Sequence, residues 1–236
     1  MTGKLYCGTS GFSYPTWKPA FYPAKLPAAK FLSHYATRLN AVEINYTFRA
    51  LPSASTLSKW IEATPPNFLF APKCHQRITH IDRLATTTFT EAFFQSIDPL
   101  RVQQRLGPIL IQTPPNLALD LPKLQAFLNA APTDIPLAFE FRNKTWFTED
   151  VYEALRARNA CLCLAESEKL ETPPVLTANF VYFRLRKPDY TPEDRAEIAA
   201  KANSLRDTGK DVYLFFKHED TPDGALHAEA ILNAAT

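Results

Sequence analysis

The sequence predicts an α/β fold, a single (β/α)8 TIM-type barrel filling one domain over residues 1–236. Three observations point to it. Short apolar runs of strand character recur eight times, and helical spacings separate most of them. Strand and helix alternating along one chain imply a parallel sheet, and eight such units in roughly 250 residues match the barrel. Polar residues also gather at the C-terminal ends of the runs, where a barrel carries its chemistry. A doubly wound open sheet is the alternative. It calls for a glycine-rich nucleotide fingerprint, and Gly8-Thr9-Ser10-Gly11 lacks the G-x-G-x-x-G spacing.

The first strand is expected at 5–8, followed by a long ordered loop rich in Pro and aromatics. A helix over 28–39 has apolar residues at Phe31, Leu32, Tyr35 and Leu39. The second strand, 41–48, alternates Val42, Ile44 and Tyr46 with Glu43, Asn45 and Thr47, a period of two. Pro52 and Ser53 open a helix that Thr64-Pro65-Pro66 stops. The third strand, 68–74, leads into a polar loop over 75–85 and then a helix over 91–106, kinked or restarted near Pro99. Strands follow at 108–112, 137–141, 161–165, 180–185 and 212–216. Helices follow at 121–130, 149–158, 192–206 and 224–235, with Thr191 as the N-cap of the third of these. The connections after the first and sixth strands are the least helical.

Composition narrows the class of function. Net charge is +2, so no global basic field announces a nucleic-acid binder. Cys7, Cys74, Cys161 and Cys163 lie in apolar runs without zinc-type spacing, and read as buried free thiols of a reducing compartment. Twenty prolines against six glycines suggest stiff connections. No run approaches the roughly 20 apolar residues of a membrane span, and the N-terminus shows no charged-then-apolar leader. The expectation is a soluble, cytoplasmic protein with no membrane partner.

A strand between two helices in a parallel sheet is buried on both faces, so Glu43 must be paired, hydrogen-bonded or used. Around it the strand ends supply Asn45, Lys73, Gln112, Glu140, Arg142 and Arg184, and the third loop supplies His80. His34 and His227 fall on helices and are passed over. Glu43 and Glu140 are the candidate catalytic residues, either one serving as acid/base. Asn45, Lys73, His80, Gln112, Arg142 and Arg184 are the candidate ligand-binding residues. The charged groups and His80 also have plainer roles: a cross-strand ion pair for the carboxylates and arginines, a snorkelling chain for Lys73, a loop-pinning hydrogen bond for His80. The cations outnumber the carboxylates, which suits a small phosphorylated or carboxylated ligand gripped by an Arg fork. No H-x-H, HExxH or G-x-S-x-G is present, so neither a metal, a cofactor nor a nucleophilic triad is expected.

Ordered motifs run the length of the chain: Gly8-Thr9-Ser10-Gly11-Phe12-Ser13-Tyr14 with Trp17, Val42-Glu43-Ile44-Asn45 with Thr47-Phe48, Lys73 with Ile78-Thr79-His80, and Leu106-Gly107-Pro108 with Gln112 and Pro114-Pro115. Glu140-Phe141-Arg142 with Trp146-Phe147, and Tyr182 with Arg184-Leu185, complete the set. Together they resemble the YecE-like family, domain of unknown function 72. The resemblance implies a TIM-type barrel and assigns no activity. The chain departs from the family pattern at Phe12, Arg49, Asn143, Arg186-Lys187 and Lys217-His218. The rim after strands seven and eight is therefore altered, and ligand specificity with it.

Three functions fit these residues: an enzyme acting on a small anion, a nucleic-acid-directed and nuclease-like barrel, and a non-catalytic ligand-binding or scaffold protein. The first two are enzymes and the third is not.

Overall fold

All strand pairs of the α/β fold run parallel. The computed structural model describes residues 2–167, 170–217 and 220–235, and His218 lies outside them. The strands are β1 (Leu5–Thr9), β2 (Ala41–Ile44), β3 (Leu69–Pro72), β4 (Ile109–Gln112), β5 (Leu137–Glu140), β6 (Cys161–Leu162), β7 (Leu164–Ala165), β8 (Phe180–Leu185) and β9 (Asp211–Phe216). They form sheets ordered β1-β9-β8-β7, β2-β3 and β4-β5-β6. Isolated parallel bridges join Ser10 to Glu43, Phe70 to Leu106 and Lys73 to Leu110. Only Cys163 separates β6 from β7, and its N–H donates to the Phe139 carbonyl at 2.8 Å. The sixth predicted strand is thus broken in two.

The α-helices are α1 (Phe31–Tyr35), α2 (Ala54–Glu62), α3 (Thr88–Val102), α4 (Leu121–Ala130), α5 (Glu149–Ala157), α6 (Pro192–Asp207) and α7 (Asp223–Ala234). Local chemistry explains their limits. Ser53 caps α2 by accepting the Thr56 N–H, and Asp120 caps α4 through Lys123 N–H. Thr191 and Asp194 close a reciprocal capping box on α6. Pro99 sits inside α3 without ending it. No helix is long and apolar enough to cross a membrane among the described residues.

Other expectations change as well. The helix over 28–39 becomes a 3-10 turn, Ala28–Lys30, and the five residues of α1. The strand over 41–48 stops at Ile44, and Tyr46–Phe48 is a 3-10 turn. Thr47 explains the stop. Its hydroxyl donates to the carbonyls of Ile44 and Lys73, at 2.9 and 2.7 Å, and folds the chain over the end of β3.

Side-chain alternation then positions everything that follows. Ala41, Ala71, Leu110, Ala138, Tyr182 and Phe215 share one apolar cluster on one face of the strands. Val42, Phe70, Val181 and Leu214 on the other face pack in the helix-side core. Two residues past each member of the first group come Glu43, Lys73, Gln112, Glu140, Arg184 and Lys217. A layer of polar groups therefore tops a layer of small and aromatic ones.

Candidate functional site

Arg184, buried at the end of β8, bridges two buried carboxylates. Its Nε and Nη2 donate to Glu43 Oε2 and Oε1 at 2.8 and 2.6 Å, the bidentate fork for which arginine suits carboxylates. Its Nη1 donates to Glu140 Oε2 at 2.6 Å. Glu43 also accepts from Ser10 Oγ at 2.7 Å and Tyr182 OH at 2.8 Å. Glu140 accepts from Gln112 Nε2 at 2.8 Å, Arg142 Nε at 3.1 Å and Arg186 Nη2 at 3.0 Å.

These contacts set the charges. Burial alone raises the Glu43 carboxyl, but Arg184, with Ser10 and Tyr182, outweighs it and holds the group below the usual carboxylate range. Burial likewise opposes ionisation of Glu140, and Arg184, Arg186 and Arg142 hold it well below the usual carboxylate range. Burial works against the Arg184 charge, but the two carboxylates raise its pKa further. Tyr182, buried beside Glu43, stays a neutral donor. Both glutamates are therefore ionised at neutral pH and saturated with donors.

Lys73 differs. It lies beside the network at the end of β3, its Nζ 4.2 Å from the centroid of Phe48, and it forms no ion pair with a carboxylate among the described residues. Burial, with Arg184 and Arg142, pulls its pKa down to about 8, against Glu43 and Glu140. His80, in the π-helical turn Arg77–Ile81, packs its ring against the same Phe48 at 5.2 Å. Burial, Lys73 and Arg142 lower its pKa and favour neutral imidazole. Its Nδ1 meets Thr79 Oγ1 at 2.8 Å.

Two carboxylates thus face four cationic side chains: Lys73, Arg142, Arg184 and Arg186. Arg184 is consumed between the glutamates. Arg142, 37% exposed, engages Glu140 through Nε and turns toward solvent.

Of the residues named from sequence, Glu43, Gln112, Glu140, Arg142 and Arg184 touch one another directly, and Lys73 and His80 border them. Asn45 does not join. It lines a separate hollow of about 280 Å³ with Phe12, Tyr14, Tyr46 and Trp60. Ser10, Tyr182 and Arg186 complete the network and were not among the candidates. Arg186 was signalled by its spacing, because it stands two residues from Arg184 and so repeats its face. A larger hollow, about 700 Å³, lies against the helix-side residues Phe183, Leu185 and Leu214 and meets the network only at Arg186. Among the described residues no three His, Cys, Asp or Glu side chains are placed to hold a metal ion.

The family model for protein of unknown function DUF72 matches residues 6–236. The UPF0759 protein YunF of Bacillus subtilis (strain 168) is 26% identical over 267 residues, covering 97% of this chain and 93% of that protein. A DUF72 family protein of Thermotoga maritima has a TM-score of 0.86 at 27% identity, with 98% of each chain covered. One from Enterococcus faecalis gives 0.80 at 20% identity, covering 97% of this chain and 95% of that one. An AP endonuclease, family 2, from Brucella melitensis gives 0.56 at 10% identity, covering 99% of each. That last likeness concerns the fold alone, which is TIM-barrel-like.

Proposed function

The chain belongs to the DUF72 family, and on that premise we propose that it is a single closed (β/α)8 barrel whose C-terminal mouth binds a small phosphorylated or carboxylated molecule. Closure is supported by the bridges from Ser10 to Glu43 and from Lys73 to Leu110, and by Cys163 linking β6 to β7. The observation that carries the binding reading is the surplus of positive charge. Four cations meet only Glu43 and Glu140: Arg142 shares Glu140 with Arg184 and Arg186, and Lys73 has no carboxylate partner among the described residues. An anion held there gains a guanidinium fork and an ammonium in partly desolvated surroundings.

Glu43 and Glu140 take a role different from proton transfer in this reading. Carboxylates held ionised by arginine are poor proton donors near neutrality. They fix Arg184 and aim Arg142 and Arg186. Lys73, whose pKa is brought down toward neutrality, and His80, held as neutral imidazole, are the groups suited to moving protons. Gln112 positions Glu140.

Thermal unfolding tests the proposal. Sulfate or phosphate raises Tm beyond chloride at equal ionic strength, because a ligand bound only by the folded state stabilises it. At a hundredfold excess over Kd the gain is about 2.7 kcal/mol, roughly 5–10 °C for a chain of this size. Arg142→Gln abolishes the difference between sulfate and chloride. An equal shift in wild type and variant means that the effect is nonspecific, and the proposal fails.

A further inference from the structure

Lys73 has surroundings that its anion-holding role leaves unused. Its ammonium lies over the face of Phe48 rather than against a carboxylate. The groups facing it are Arg184 from β8, Glu43 from β2, and Glu140 and Arg142 from β5 and the turn beyond. His80, from the turn that follows β3, packs on the same Phe48 ring. A primary amine, a neutral base and an exposed guanidinium thus share one mouth. We infer that Lys73 is a carbonyl-reactive amine that forms an imine with a small aldehyde or ketone carrying a carboxylate or phosphate, the anion seated on Arg142.

The inference rests on the anion reading above and names its substrate class. The Lys73 nitrogen lone pair forms the C–N bond while the carbonyl π pair moves to oxygen. A proton passes from nitrogen to that oxygen, giving a carbinolamine. Loss of the hydroxyl with one further proton, as water, leaves the C=N bond. Amine plus carbonyl gives imine plus one water, and nothing is oxidised or reduced. Neutral His80, on the same Phe48 ring as Lys73, is the base assigned to relay the protons in this scheme. Reaction requires the free amine. With its pKa lowered to about 8, roughly a tenth of Lys73 is unprotonated at pH 7, against well under a thousandth of an ordinary lysine. Desolvation and adjacent cations are the established way to activate a lysine nucleophile.

The test uses the full chain at pH 7 with glyoxylate and sodium cyanoborohydride, which reduces an imine to a stable secondary amine. Peptide mass mapping follows each lysine with time. Lys73 should be tagged at least tenfold faster than exposed lysines such as Lys25. Glyoxylate should outpace propionaldehyde, which has no anion, and Arg142→Gln should remove that preference. Lys73→Arg, its fold checked by Tm, should lose the fast tag and leave the other peptides unchanged. If Lys73 is tagged no faster than Lys25 while sulfate still raises Tm, this inference fails and the anion site stands. If Lys73 reacts fast but equally with both aldehydes, and sulfate does not stabilise, the anion reading fails and takes the substrate class with it.

Discussion

Tyr182 shows how a single hydroxyl holds the network in place. It donates to a fully buried carboxylate, and hydrogen bonds to charged groups contribute roughly 1.5–3 kcal/mol. Tyr182→Phe should lose about that much in urea unfolding and leave sulfate stabilisation intact, since Arg184 still holds Glu43. Lys73 makes the opposite demand. It binds its proton less tightly in the fold than in the unfolded chain. Between about pH 8 and the ordinary lysine value of roughly 10.4, the unfolded chain carries the extra proton, so stability rises with pH across that window. Below it this group contributes no slope. Lys73→Met should flatten the rise, as denaturant titrations at pH 7, 8, 9 and 10 will show. At this scale the sequence was informative where burial forces a partner. Glu43 on a strand between helices had to be satisfied, and it is, four times over. What it is satisfied by was less legible. Tyr182 and Ser10 come from strands far apart in sequence, and only their register makes them neighbours of Glu43.

Among the elements, β8 organises the site. It carries Tyr182 and Arg184 on one face, and Arg186 follows in step just beyond it. Removing Arg184 leaves Glu43 buried without its ionic partner, a loss of roughly 3–5 kcal/mol at neutral pH. The pH dependence should then reverse. In the wild type both glutamates have depressed pKa values, so their stabilisation is present above the unfolded carboxylate value of roughly 4.3 and is lost as pH falls through the folded values. In Arg184→Leu, burial raises Glu43 instead, and stability should increase as pH falls from 7 toward 5. A wild-type-like decline in the variant would mean that Arg184 does not govern Glu43. Strand and helix order was readable from periodicity, and 121–130 and 180–185 match α4 and β8 to the residue. The misses have local causes. Thr47 ends β2 through bonds to two carbonyls, which alternation cannot register. The sixth strand breaks at Cys163, in the middle of an unbroken apolar run.

For the whole molecule, the central claim is that strand alternation stacks a charged layer over an apolar one. One step of two along β2, β3, β4, β5 and β8 turns Ala41, Ala71, Leu110, Ala138 and Tyr182 into Glu43, Lys73, Gln112, Glu140 and Arg184. The parallel α/β fold was legible because each of these runs is short, apolar and followed by a polar residue. The balance of charge in the polar layer was only partly legible. Arg186 adds a cation that the chain-wide net charge of +2 does not reveal. The most direct measurement is a crystal structure grown with saturating phosphate. The account predicts phosphate within hydrogen-bond distance of the Arg142 guanidinium and Lys73 Nζ, with Arg184 still clasping Glu43 and Glu140. Phosphate seated elsewhere on the chain, with that mouth holding only water, would contradict it.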